Sequence, residues 1–263
     1  MKHLLLPALL ALTFLYACNA GPAPGTGAPD KNAVAPATPP ALSAADALLH
    51  KALEAHGGNR YDTADYTFVF RDKIYTFKND GPTYRYTRAY EKDGKAILDL
   101  LDNGTFTRAT DGKATPLSAK ATRAASDGIN SVVYFATLPH KLRDAAVNRY
   151  PAGETTIRGK KYQTLKVNFD EEGGGTDHDD NFLYWINDAT GRIDYLAYDY
   201  RVNGGGVRMR EAYNPRVVDG ILFQDYVNYK APVGTPLTAL PGLLETGALK
   251  ELSRIETEDV VRN

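Results

Sequence analysis

Apolar and polar residues follow three regimes along this chain. From Leu4 to Tyr16 apolar side chains run almost unbroken, from Asn19 to Ala41 bulky ones nearly vanish, and from Leu42 onward they return in periodic order. The first periodic stretch is helical: Leu48, Leu49, Ala52 and Leu53 share one face. Ser43 with Asp46 forms a capping-box-like pair, Leu42 and Ala47 staple the first turn, and Gly57-Gly58 stops the helix after His56. Beyond Gly58 the period drops to two. Tyr66, Phe68 and Phe70 alternate with polar residues, then Tyr84, Tyr86 and Tyr90, followed by strand-like runs near Ala96–Leu101 and Thr105–Thr110. Asn79-Asp80-Gly81-Pro82, Asp93-Gly94, Asn103-Gly104 and Asp111-Gly112 supply hairpin turns between them.

Helical spacing returns from about Ser118 to Val147. Ile129, Val132, Val133 and Ala136 fall on one face, Gly128 is expected to interrupt the helix, Pro139 to end it, and Leu142, Ala145 and Ala146 to start a second short one. Strands then resume over Thr155–Arg158, Tyr162–Phe169, Phe182–Ile186, Ile193–Arg201, Val207–Tyr213 and Leu222–Tyr229, with Leu249–Glu256 as a last candidate. Hairpins on both sides of one helical insert, with no βαβ rhythm, predict a single α+β domain. The expected form is a large curved antiparallel β-sheet of about ten strands, an incomplete barrel, with a helical lid on the concave face.

The first two regimes are read as processing and tethering segments. Lys2, the apolar run and the small-residue site before Cys18 make residues 1–17 a cleavable export signal, because the run is well short of the ~20 residues that span a bilayer. Cys18 is then the lipid-bearing first residue, and Asn19–Ala41, rich in Ala, Pro and Gly, a flexible tether. Residues 42–263 form the domain. Cys18 is the only cysteine, so no intramolecular disulfide is available to it. With 31 Lys and Arg against 32 Asp and Glu and no basic block, nucleic acid is not an expected partner. The membrane, through the N-terminal lipid, is.

Candidate chemistry is sparse. Glu171 to Asp180 places carboxylates around Gly173-Gly174-Gly175, so Asp177, Asp179 and Asp180 are candidate ligands for Ca²⁺. The spacing does not match an EF-hand loop, and a solvated acidic hairpin is the preferred reading. His50 and His56 are six apart and do not form an i, i+4 zinc pair; they, His140 and His178 read as surface or structural residues. No Gly-x-Ser-x-Gly elbow occurs, and no phosphate-cradling loop opens a helix. No catalytic residue and no obligatory cofactor is therefore assigned. Tyrosine is abundant, 17 against nine phenylalanines, as suits either a partly wet cavity or ordinary strands. Arg88, Arg108, Arg208 and Arg210 lie within strand patterns and are read as outer-face residues, with a polar cavity mouth as the alternative.

Two stretches carry a resemblance. Phe182 to Gly191 followed by an alternating strand, and Tyr213 to Phe223 around Val217-Val218-Asp219-Gly220-Ile221, resemble successive hairpins of the periplasmic lipoprotein-carrier (Lol-type) fold. That fold is an incomplete antiparallel barrel around an apolar cavity, lidded by helices, and the resemblance implies binding of acyl chains or lipoproteins. The chain also resembles a family of bacteroidete cell-envelope lipoproteins without established activity. That likeness runs through Phe70-Arg71-Asp72-Lys73, Asn130 to Phe135, Gly173 to Asp177, Tyr184-Trp185 and Arg210 to Asn214. Asp62-Thr63-Ala64 resembles the short O-glycosylation motif of bacteroidete envelope proteins, which would place a sugar on Thr63.

The expectation is thus an envelope-anchored lipoprotein that binds an apolar or amphiphilic ligand, with Tyr66, Phe68, Phe70, Tyr84, Tyr86, Val133 and Trp185 lining the cavity. A carboxylate-dependent hydrolase on the same sheet and a module for an envelope protein partner are the alternatives. Asn19 lacks the aspartate associated with inner-membrane retention, which by resemblance places the anchor in the outer membrane, facing the periplasm.

Overall fold

The computed structural model describes residues 42–172, 180–201 and 204–263; Cys18, the tether, Asp177 and Asp179 lie outside them. Residues Ala41–Asn263 make one compact unit. Its first element, α1 (Ala44–His56), starts where the sequence places it: Ser43 is the N-cap, its Oγ accepting from the Asp46 N–H at 3.1 Å and donating to the Asp46 carboxylate at 2.6 Å. The Asp46 carboxylate thus bonds the hydroxyl rather than reaching back to the backbone N–H of the cap, which a full capping box requires. Gly57, at φ 130°, ends the helix.

A 3-10 turn (Gly58–Thr63) leads into a meander of β1 (Asp65–Phe70), β2 (Lys73–Asp80), β3 (Thr83–Lys92), β4 (Lys95–Asp102), β5 (Thr105–Thr110) and β6 (Lys113–Ala114). Helix α2 (Ala119–Ala136) and a 3-10 turn at His140–Arg143 separate it from a second meander. That one comprises β7 (Val147–Ile157), β8 (Lys160–Phe169), β9 (Asn181–Asn187), β10 (Ile193–Tyr200), β11 (Gly206–Val218) and β12 (Ile221–Ala231). A short helix α3 (Leu240–Glu245), β13 (Lys250–Ile255) and β14 (Glu258–Arg262) finish the chain.

The strands form two antiparallel seven-stranded sheets, ordered β14-β1-β2-β3-β4-β5-β6 and β13-β12-β11-β10-β9-β8-β7, not closed into a barrel. The last two strands therefore add one to each sheet, and Glu256-Thr257 is the crossing between them. Buried Asp225 on β12 fixes that crossing: it accepts from the Thr257 N–H at 3.0 Å and pairs with Arg216 at 3.1 Å. The expected curved antiparallel architecture with helical cover is present, divided into two sheets and with more strands than the pattern suggested. The extra strands are β6 and β14, too brief to show a period, and β2, whose eight residues Lys73–Asp80 with buried Tyr75, Phe77 and Asn79 went unread because the turn before it carries no glycine.

Turn chemistry explains much of the register. Asp219-Gly220, at φ 44° and 83°, has two left-handed residues, as a type I′ hairpin demands. Arg71-Asp72 makes the same kind of turn at φ 48° and 61° without any glycine, so the sequence carries no punctuation there.

The two sheets are clothed differently. The first sheet buries one face, with Tyr66, Phe68, Tyr75, Phe77, Tyr86 and Leu101 packed beneath Ile129 and Val133 of α2. The second buries both. Phe182, Tyr184 and Ile186 of β9 face α1 and the aromatic end of α2, whereas Leu183 and Trp185 face α3 through Leu240 and Leu244. A strand covered on both faces reads as a continuous apolar run, which is why Phe182–Ile186 shows no alternation.

Gly128 does not interrupt α2, contrary to expectation. A Cβ at that position would stand 3.1 Å from Nη1 of Arg88, so the glycine lets the helix settle close over β3.

Candidate functional site

Helix α2 lies between the two sheets, and its faces are divided. Ile129 and Val133 enter the core of the first sheet, while Tyr134 and Phe135 reach the second. The Tyr134 and Tyr184 hydroxyls meet at 2.6 Å, and burial pushes both phenols above their ordinary range.

Beside Phe135 lies a crevice of about 250 Å³. Ser131, Val132, Phe135 and Ala136 of α2 form its roof, Arg210 of β11 with Gln224, Tyr226 and Asn228 of β12 its floor, and Ile255 and Thr257 its far rim. The Phe70-Arg71 turn stands at the mouth, with the exposed Arg71 guanidinium 5.1 Å from the Phe70 ring. The volume sits just under the ~300 Å³ at which small-molecule sites begin. The lining contains no carboxylate, so a hydrolase needing two of them has no site there.

Arg210 dominates the floor. It is 8% exposed, its guanidinium carbon lies 3.6 Å from the Phe135 ring centre, and it donates to the Tyr198 hydroxyl at 3.1 Å. Its Nε has no hydrogen-bond partner, and no carboxylate pairs with it among the described residues. Asn228, its direct cross-strand neighbour, is also buried; its Nδ2 reaches Ser253 Oγ at 3.3 Å, and its Oδ1 is unpartnered.

Sequence reasoning placed seven residues around the cavity, and of these only Phe70 lines the crevice. Tyr66, Phe68, Tyr86 and Val133 are at most 2% exposed and close-packed with Ile221 and Phe223 as solid core. Tyr84 is half-buried beside them, its ring 4.5 Å from that of Tyr86 and 4.9 Å from Lys141 Nζ. Trp185 lies on the opposite face of the second sheet, against α3. On α2 the sequence named Val133, whereas Ser131, Val132, Phe135 and Ala136 line the crevice, Val132 just one position away.

The arginines are also corrected. Arg88 and Arg108 are not outer-face residues: beneath α2 both grip Asp99, which is fully buried, at 2.6 Å each. Arg208 shares the inner face with Arg210 and donates to the Tyr200 hydroxyl at 2.6 Å. Alternation marked these four as one face of their strands; nothing in the sequence said which.

His56 and His140 are structural, His50 is exposed, and His178 lies outside the described residues. His56 accepts the Ile193 N–H on Nε2 at 3.1 Å, and its burial, with Arg192 nearby, depresses its pKa to about 3. His140 stacks on Tyr61 with ring centres 5.0 Å apart, and burial with Arg143 and Lys141 lowers it to about 4. Among the described residues no group of three His, Cys, Asp or Glu could hold a metal ion. Asp180 is described and buried at the start of β9, but the rest of the acidic loop is not. No helix among the described residues is long and apolar enough to cross a membrane.

Comparison with known proteins gives the fold company. A LolA superfamily protein from Nitrosomonas europaea superposes with a TM-score of 0.50 at 13% identity, over 83% of this chain and 94% of that one. A DUF1329 family protein from Desulfovibrio piger aligns more loosely, with a TM-score of 0.41 at 12% identity over 83% and 93% of the two chains. The lipoprotein LppX of Mycobacterium tuberculosis gives 0.27 at 10% over 62% and 90%. Among curated proteins none matches the sequence. The profile of a family of unknown function, DUF6503, matches residues 43–257, and the chain belongs to that family.

Proposed function

We propose that this chain is an envelope-anchored lipoprotein that holds an apolar or amphiphilic molecule between α2 and the second sheet, without catalysing a reaction on it. The observation that carries this reading is the crevice of about 250 Å³. Three of its four roof residues, Val132, Phe135 and Ala136, are apolar side chains of one helix, and its floor has a few polar groups at fixed positions. That mixture of apolar wall and sparse polar contacts is what small-molecule sites share. The Lol-type resemblance supports the same reading, as does the export signal expected over residues 1–17, directly before Cys18. The anchor is proposed to lie in the outer membrane, with the domain in the periplasm and the tether giving it reach.

The test is a filled crevice. Ala136→Trp places an indole at the last residue of α2, which lines the crevice. The full chain carrying Cys18→Ser, which keeps it unacylated, is titrated with the neutral dye N-phenyl-1-naphthylamine. Saturable fluorescence enhancement that is lost in Ala136→Trp, with circular dichroism unchanged, supports the proposal. Absence of saturable binding, or binding that Ala136→Trp leaves intact, refutes it.

A further inference from the structure

Burying a charge is costly unless something compensates it, and proteins normally supply a counter-ion with good geometry. This molecule does so twice within the same fold. Asp99 lies between Arg88 and Arg108, and Asp225 pairs with Arg216 and takes the Thr257 N–H. Arg210 is treated differently. It is as buried as those groups, at 8% exposure, yet its polar contacts among the described residues are with one neutral hydroxyl, that of Tyr198. The Phe135 ring covers the guanidinium, its centre 3.6 Å from Cζ, and Nε–H is buried without a partner beneath the crevice that Arg210 lines. A guanidinium stays charged at physiological pH, so the crevice carries an uncompensated positive charge at its base. The exposed Arg71 adds a second cation at the mouth.

Asn228 strengthens the case. It pairs directly with Arg210 across β11 and β12, and one end of its amide is unpartnered in the crevice. The Ser253 hydroxyl that holds the other end can donate as well as accept. The unpartnered end is Oδ1; exchanging the two ends of the amide, with Ser253 donating to Oδ1, would turn NH₂ toward Arg210, and the pair would then present two adjacent N–H donors. Two adjacent donors, one of them charged, fit a carboxylate or a phosphate.

Resting on the function proposed above, we infer that the ligand is a single-chain amphiphile with an anionic oxygen head. The head binds Arg210 and Asn228, and the chain lies along Val132, Phe135 and Ala136. The small volume favours one short chain over a two-chain lipid.

Displacement of N-phenyl-1-naphthylamine from the full chain carrying Cys18→Ser tests this, with decanoate, decyl phosphate and decanol as competitors at neutral pH. The expected result is that at least one of the two anions displaces the dye at a concentration at least tenfold below that of decanol. Whichever anion is stronger identifies the head as carboxylate or phosphate. In Arg210→Met the dye still binds and the anions lose their tenfold advantage. Equal potency of both anions and the alcohol, or an advantage that survives Arg210→Met, overturns the inference while leaving the crevice a ligand site. If the dye itself fails to bind saturably, the underlying function falls instead. The comparison of acid with alcohol needs no variant, so it holds even if Arg210→Met does not fold.

Discussion

Acid should weaken this fold well before its carboxylates titrate, because two histidines are buried without charge. His56 sits against the start of β10, accepting from Ile193 with Arg192 nearby, and its pKa is pushed down to about 3. His140 stacks on Tyr61, with Asn79 Nδ2 3.4 Å from its Nε2. Burial lowers its pKa to about 4, with Arg143 and Lys141 adding to the effect and Asp62 opposing it. Both values lie below the ordinary 6.5, so the unfolded chain binds protons that the folded one refuses. The stabilisation is complete above pH ~6.5 and is lost as the pH falls toward the folded values. Between pH ~6.5 and ~5 each histidine forfeits about 2 kcal/mol, at ~1.36 kcal/mol per pH unit, or about 4 kcal/mol for both. That is a large share of the ~5–15 kcal/mol that holds a domain together. Urea unfolding at pH 7 and pH 5, followed by circular dichroism, measures the difference directly. His56→Gln with His140→Gln should reduce it to under about 1 kcal/mol, whatever the pair costs at pH 7, because glutamine does not titrate. An unchanged stability at pH 5 in the natural sequence, or a loss that the double variant retains, would refute the reasoning.

Two further predictions concern other parts of the chain. Asp99→Ala leaves Arg88 and Arg108 facing each other beneath α2, and should cost about 3–5 kcal/mol by urea unfolding at pH 7; a loss under about 1 kcal/mol would mean that the pair is solvated like a surface bridge. Cys18→Ser should leave a protein that partitions into the aqueous phase of a detergent extraction, and fatty-acid labelling of that variant would refute Cys18 as the acylated residue.

The fold was legible where chemistry is local. Ser43 and Gly57-Gly58 bounded α1, and the Asx-Gly pairs marked the hairpins, because caps and type I′ turns depend on a few adjacent residues. The Arg71-Asp72 turn was silent, since its left-handed residues lack the usual glycine. Gly128 misled for a related reason: its effect on helix propensity is local, but its purpose, close approach to Arg88, is tertiary. The site was less legible still. Alternation shows which residues share a face of a strand, but not which face meets the lid, so Trp185 was expected to line the cavity when it lies on the other face, against α3. On α2 the apolar stripe includes both Val132 and Val133, and only packing decides that Val133 fills the core while Val132 borders the crevice. Arg210 entered the sequence reading only as one of four strand arginines with a polar cavity mouth as the alternative, and nothing separated it from the other three. An arginine in a strand normally faces water, and what distinguishes this one is that it is buried with no carboxylate paired to it among the described residues.

The central claim, that the space beneath α2 holds a ligand, is tested most directly by native mass spectrometry. The chain carrying Cys18→Ser would be purified without detergent from cells that export it. The account predicts a defined mass increment, one amphiphile per chain, that disappears in Ala136→Trp. A bare chain with no increment, or an increment of the same mass in Ala136→Trp, would contradict it.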